Sequence, residues 1–455
     1  MITDVIERFS KGAPVAVMFR GVFVRMFAPK RLDQIFRDHK VQQVESEILF
    51  SSLVRLLTPV IYGGKRSVLA SFTEHEKELG VSKQAFYDKL KGVEAPVSAA
   101  LVREPAVELG RILSSAKATR PDIVPGYHTF IIDGKRLDGT EHRLEETRHT
   151  NSSPLPGTVL TLLDTRLGIF VDAACHPDAY VCERKVVGSI LERAVPGALY
   201  MADRNFSDGP LIDCFLRRKA FFLLRQHGSC PSWRQIPGCE PRVVGKDSRG
   251  NVVSEQTIEV ALPDRQWVRV RRITLKLKQP TKKGESELHL LTNLPDSVSA
   301  IVLADAYGQR WTIEICLGHV AQSLNAEINT LAYPGAAMLC FCLGLVLFNI
   351  ISALKTLVET HAAKPVPPLS HYYMAMEIAE ARKGIEIMVD RAYWDKLATW
   401  PLPKFVSWLK SLISHVDLDL YRANPRGPKK PRPKRRSGKN RTHVSTHRLL
   451  ELRHC

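Results

Sequence analysis

Two aspartates stand where short apolar runs end. Asp133 closes His128-Thr-Phe-Ile-Ile-Asp, and Asp203 closes Ala198-Leu-Tyr-Met-Ala-Asp. Short strands sharing a sheet would deliver both side chains to one edge. Asp164 and Asp172 sit in similar runs and fit turn or cap roles, and spacing alone does not separate the two pairs. A third acid, Glu314, lies in the stretch from Tyr307 to Asn325. Read as a single helix at about 100° per residue, Glu314 falls roughly 20° from Tyr307 and Arg310 roughly 60° from it. A carboxylate, a guanidinium and a phenol then share one stripe, and Trp311, Ile313, Ile315, Leu317 and Val320 are expected to be buried. Taken alone, the stripe fits either a site for an anion or metal, or an Arg–Glu surface pair worth a few tenths of a kcal/mol. Three carboxylates from separate elements suit hard divalent cations, which take oxygen ligands. Two such ions about 3.5–4 Å apart would activate an attacking oxygen and stabilise the leaving oxygen of a phosphodiester.

The elements that must position these residues change character along the chain. Residues 1–125 read as helical. A helix is expected over Val41–Leu57, then one from about Val68 to Leu79, a stop at Gly80, and a helix capped by Ser82 that carries Lys83, Gln84, Tyr87 and Lys89. These are helix-turn-helix proportions, with Lys83 and Lys89 as candidate DNA contacts, or those of a small packing bundle. Residues 126–229 alternate strands and helices, including a hairpin closed around Thr165–Gly168 and a helix over Val181–Val195, which makes a mixed α/β sheet. Residues 230–296 form a β-rich insertion around the turn Asp247–Asn251. Its arginines, Arg269 and Arg271 among them, would either follow a phosphate backbone or protect a solvated sheet edge. Residues 297–360 hold the Glu314 stretch and a long apolar run. A linker at Pro365–Pro368 leads to a helical region, 369–420, and a tail, 421–455.

Composition narrows the partners. The 455 residues are 44% hydrophobic and 25% charged, with a net charge of +18. That excess favours a polyanion, nucleic acid first. More than half of it lies in the tail, where ten basic residues and no acidic one occur from Arg422 to Arg441, Arg435 and Arg436 among them. The tail cannot bury a core and is expected to be disordered when free and to bind phosphates without sequence preference. Ala336–Leu354 is uncharged over about the length of a membrane span. It stands alone, contains Asn349 and follows a Pro-Gly start, so it reads as a buried core helix with no membrane partner. The nine cysteines form no zinc pattern and suit a reducing, cytoplasmic setting. Gly64-Lys65 has Pro59 where a P-loop needs glycine, so no ATP site is indicated.

The stretches IIDGKRL around Asp133, YMADRNF around Asp203 and YGQRWTIE, with Tyr307, Arg310 and Glu314 in Tyr-x2-Arg-x3-Glu spacing, resemble the three acidic signatures of IS4-type DDE transposases. LHLLTNLPD at 288–296 resembles the strand before the glutamate helix of that family. The likeness covers about residues 125–350. It implies an RNase H-like mixed-sheet core interrupted by the β-rich insertion and flanked by the helical regions. It also implies Asp133, Asp203 and Glu314 as catalytic metal ligands, holding two Mg²⁺ or Mn²⁺ ions. Tyr307 and Arg310 become phosphate contacts, and Trp267 a candidate helper in hairpin formation. The partners it implies are double-stranded DNA, as transposon ends and target, and a second copy of the chain in a synaptic homodimer. The setting it implies is bacterial and nucleoid-associated. One position departs from the family pattern: Ala321 replaces its lysine, leaving Gln322 or His319 as imperfect substitutes.

Overall fold

A computed structural model describes residues 2–228, 230–281, 284–424 and 444–452. Five strands carry the aspartates: β1 (Thr129–Arg136), β2 (Thr158–Asp164), β3 (Ile169–His176), β4 (Leu199–Ala202) and β5 (Phe221–Arg225). β1, β2 and β3 form an antiparallel meander, while β4 and β5 run parallel to β1, in the order β3-β2-β1-β4-β5. This is an RNase H-like core. Its strands are apolar on both sides because both faces are covered. Ile131, Met201 and Leu223 face one large core, and Ile132, Tyr200 and Leu224 face a second beneath the crossover helices.

The insertion is not a separate body. β6 (Trp233–Gln235), β7 (Arg242–Lys246), β8 (Val252–Ala261), β9 (Trp267–Lys276) and β10 (Glu287–Thr292) continue the same sheet. The join is antiparallel pairing of β10 with β5, Leu291 opposite Leu224, giving a ten-stranded mixed sheet.

Helix Pro334–His361 crosses the large core with its 18-residue apolar window wholly buried inside the protein. Asn349 is satisfied there: its side chain accepts from Phe170 N and donates to Phe170 O, both at 2.7 Å. The terminal helical regions pack together. Ala16 N donates to Glu377 at 2.9 Å, Arg25 reaches the Trp400 carbonyl at 2.7 Å, and a Cβ on Gly21 would strike Trp408.

Three expectations need correction. Residues 41–49 are not helical, and the helix begins at Phe50. The Glu94 carboxylate accepts from the amides of Val41, Gln42 and Gln43, holding that segment in another conformation. The helix expected over Val181–Val195 is two short ones, Glu183–Val186 and Gly188–Leu191. The end of the tail is ordered against the core. Val444–Ser445 pairs with Pro154–Leu155, and Arg448 binds Asp178 at 2.8 Å. The basic stretch with Arg435 and Arg436 lies outside the described residues.

Candidate active site

Asp133 lies within β1, past its fully buried half, and Asp203 follows β4, so the parallel pairing of these strands brings both aspartates to one end of the sheet. Asp133 Oδ1 accepts from the Gly134 amide at 2.9 Å. Asp203 caps a 3₁₀ turn by accepting from Asn205 N at 2.7 Å. Glu314 arrives from the other side of the insertion. Arg310 connects them, with Nη2 2.8 Å from Glu314 Oε1 and Nη1 3.4 Å from Asp133 Oδ2.

The stretch carrying Glu314 is not one continuous α-helix. Helix Ala300–Gly308 gives way to a 3₁₀ turn at Gln309–Trp311, and a second helix runs over Thr312–Gln322. A 3₁₀ turn advances about 120° per residue, so three residues add roughly 60° of rotation. That rotation brings Ile313, Leu317 and Val320 round to the buried side, where Leu303 lies. It turns Trp311 and Ile315 outward, where they are 59% and 51% exposed, contrary to the single-helix expectation.

Electrostatics tie the acids together. Burial pushes the Asp133 carboxyl up to about 7, with Asp203 and Glu314 adding to the shift and Arg310 opposing it. Burial also opposes the Arg310 charge, but Tyr307 and the two carboxylates outweigh it and hold the guanidinium above its ordinary value. The Tyr307 phenol, partly buried against the core, is pushed up by desolvation. Glu183 escaped the sequence reading, because an acid in the first turn of a short helix has no distinguishing signal. Its carboxylate lies where a Cβ on Gly134 would be, and Asn205 Nδ2 donates to it at 3.4 Å. Burial raises its pKa, with Asp203 adding. Arg225, at the end of β5, was also missed. It binds Glu285 at 2.7 Å and acts on the Tyr307 phenol.

The donor set suits a hard cation: carboxylates alone, one of them raised by burial and by its acidic neighbours. Among the described residues, however, no three acidic, His or Cys groups are gathered closely enough to hold a metal. Arg310 bridges two of the three carboxylates, so loading requires that Arg310 withdraw from Asp133 and Glu314.

The expected DNA contacts divide. Lys83 is exposed on helix Lys83–Lys91, after a left-handed Gly80 and a Ser82 cap. Lys89 is buried, donates to the Val44 carbonyl at 3.0 Å and lies 4.0 Å from the Phe36 ring centre, so it is a packing residue. Arg269 is exposed. Arg271 is buried and bound to Glu255 at 2.8 Å and Asp296 at 3.2 Å, so it holds the sheet together and is not open to DNA. Trp267 is 40% exposed beneath the Arg234 guanidinium. His319 stacks on His371, away from the role of a substitute cation.

Residues 125–336 match the family described as Transposase DDE domain, which supports a DDE transposase. No curated protein matches the chain. Among solved structures, a piggyBac transposase synaptic complex with hairpin DNA aligns at 12% identity and TM-score 0.40, covering 91% of this chain and 87% of that one.

Proposed function

We propose that this protein is a DDE transposase of the IS4 type. In this reading it cuts double-stranded DNA at the terminal inverted repeats of an insertion sequence and joins the freed ends to a target, working as a homodimer in the bacterial cytoplasm at the nucleoid. The observation that carries the reading is the approach of Asp133, Asp203 and Glu314 at one sheet edge, with Arg310 across two of them, inside the region that matches the DDE domain. Two Mg²⁺ or Mn²⁺ ions held by these acids would supply charge stabilisation at the scissile phosphodiester. The chain's own groups do the rest. Arg310 leaves its carboxylates for a DNA phosphate, which its planar fork can grip with two hydrogen bonds. The Tyr307 phenol, kept protonated, donates beside it. Asp133 would release its proton to solvent when cations occupy the site.

Ala321 favours a second reading, a catalytically impaired relic that binds ends without cutting them, because the family's lysine is missing about two turns beyond Glu314. The test is incubation of the full chain with its own terminal DNA and Mg²⁺, followed by strand mapping. Asp133→Asn, Asp203→Asn and Glu314→Gln are each expected to lower cleavage at least about a thousandfold while end binding persists. Substantial cutting by any of them removes that residue from the site. Binding without cutting by the unaltered chain selects the second reading.

A further inference from the structure

The turn Asp247–Asn251, between β7 and β8, reaches the helix that precedes the glutamate helix. The turn is rigid: the buried Asp247 carboxylate accepts from the amides of Arg249 at 3.0 Å and Asn251 at 2.8 Å, and from Asn251 Nδ2 at 2.7 Å. Ser248 donates from its amide, at 2.9 Å, and from its hydroxyl, at 2.5 Å, to Asp305 Oδ1. Gly245 lies so close that a Cβ would press on Ile301 Cδ1 at 2.9 Å. Arg249 Nη2 then donates to the Gly308 carbonyl at 3.2 Å.

That carbonyl stands where α-helix becomes 3₁₀ turn. In a continuous α-helix it would accept from Thr312 N, but the Thr312 amide is directed to the carbonyls of Gln309 and Arg310. A Cβ on Gly308 would stand 2.5 Å from Arg249 Nη2, so a side chain there would displace the guanidinium. The carbonyl at this junction and the missing Cβ both meet one guanidinium.

We propose that Arg249 is a positioning residue for the active site: by binding the Gly308 carbonyl it holds the 3₁₀ turn, and the turn's extra rotation aims Glu314 at Asp133. The inference rests on the reading of Glu314 as a catalytic acid. Without Arg249 the Gly308 carbonyl returns to Thr312 N, the turn relaxes toward α-helix, and Glu314 swings roughly 60° away.

The test uses the full chain, alone and with its terminal duplex, read by Mn²⁺ titration in electron paramagnetic resonance and by single-turnover cleavage. Arg249→Met is expected to lower Mn²⁺ affinity and cleavage about 10- to 100-fold, with end binding and the thermal midpoint unchanged. Gly308→Ala should reproduce that loss, and the double variant should be no worse than either single one, since each removes the same contact. Arg249→Lys, which keeps a donor, should recover part of it. Wild-type Mn²⁺ affinity and cleavage in Arg249→Met, or losses that add in the double variant, would overturn the proposal. A wild-type chain that binds Mn²⁺ but cuts no DNA overturns the transposase reading alone, and the Mn²⁺ shifts still decide the role of Arg249.

Discussion

In β1–β5 charge enters mainly where the strands end, so an acid there faces little competition from neighbours of its own strand. In β6–β10 charge runs along the strands and is answered across them: Glu255 binds Arg271 and Arg242, and Glu259 binds Arg234. Half of one sheet therefore concentrates its carboxylates at a point where one guanidinium bridges two of them, and the other half neutralises charge over a surface. A count of basic residues overstates the phosphate-binding surface of the second half, because Arg271 is buried against Glu255 and Asp296.

Arg271→Ala probes the paired half. It removes a buried guanidinium and leaves the Pro295 carbonyl, which it meets at 2.8 Å, without that donor, so unfolding stability should fall by about 1–3 kcal/mol in urea titrations. Arg269→Ala, at an exposed position, should stay within about 0.5 kcal/mol. Equal losses would erase the distinction between the two arginines.

Asp133 probes the other half. The folded chain binds its proton up to about pH 7, whereas an ordinary aspartate releases it near 3.8. Between those values the folded state holds the extra proton, so this contribution to stability is full below about pH 4, falls as pH rises, and is lost above 7. Asp133→Asn should therefore stabilise the metal-free chain at pH 8 by about 1–3 kcal/mol and leave it nearly unchanged at pH 4. A gain of the same size at both pH values would show that Asp133 titrates normally.

The smallest effect belongs to Lys83. Lys83→Ala should weaken DNA binding several-fold, alike for all sequences, and reduce the salt slope by about 1. An unchanged slope would leave the helical region without this phosphate contact.

The residues that could be read from the sequence share a property: their setting is local. Asp133 and Asp203 end apolar runs, and the Tyr307, Arg310 and Glu314 spacing fits within two helical turns. What escaped was set at long range. The Glu94 carboxylate keeps Val41–Gln43 out of a helix from 51 to 53 residues away in sequence. The 3₁₀ turn depends on Arg249, so periodicity could not reveal it. Lys89 and Arg271 are basic in any sequence window, and only packing shows that their charges are already engaged.

Helix Pro334–His361 is apolar around its whole circumference, and such a cylinder has no preferred angle about its own axis. Asn349 gives it one, because an amide bonded to both the amide and the carbonyl of Phe170 engages at a single rotation. The glutamate helix rests on this cylinder: a Cβ on Gly344 would collide with Ala326 and crowd Val320. The hydrogen-bonded detent at Asn349 thus fixes the phase of a bearing on which the third acid is mounted, and a side chain remote from the chemistry helps set where the carboxylate points.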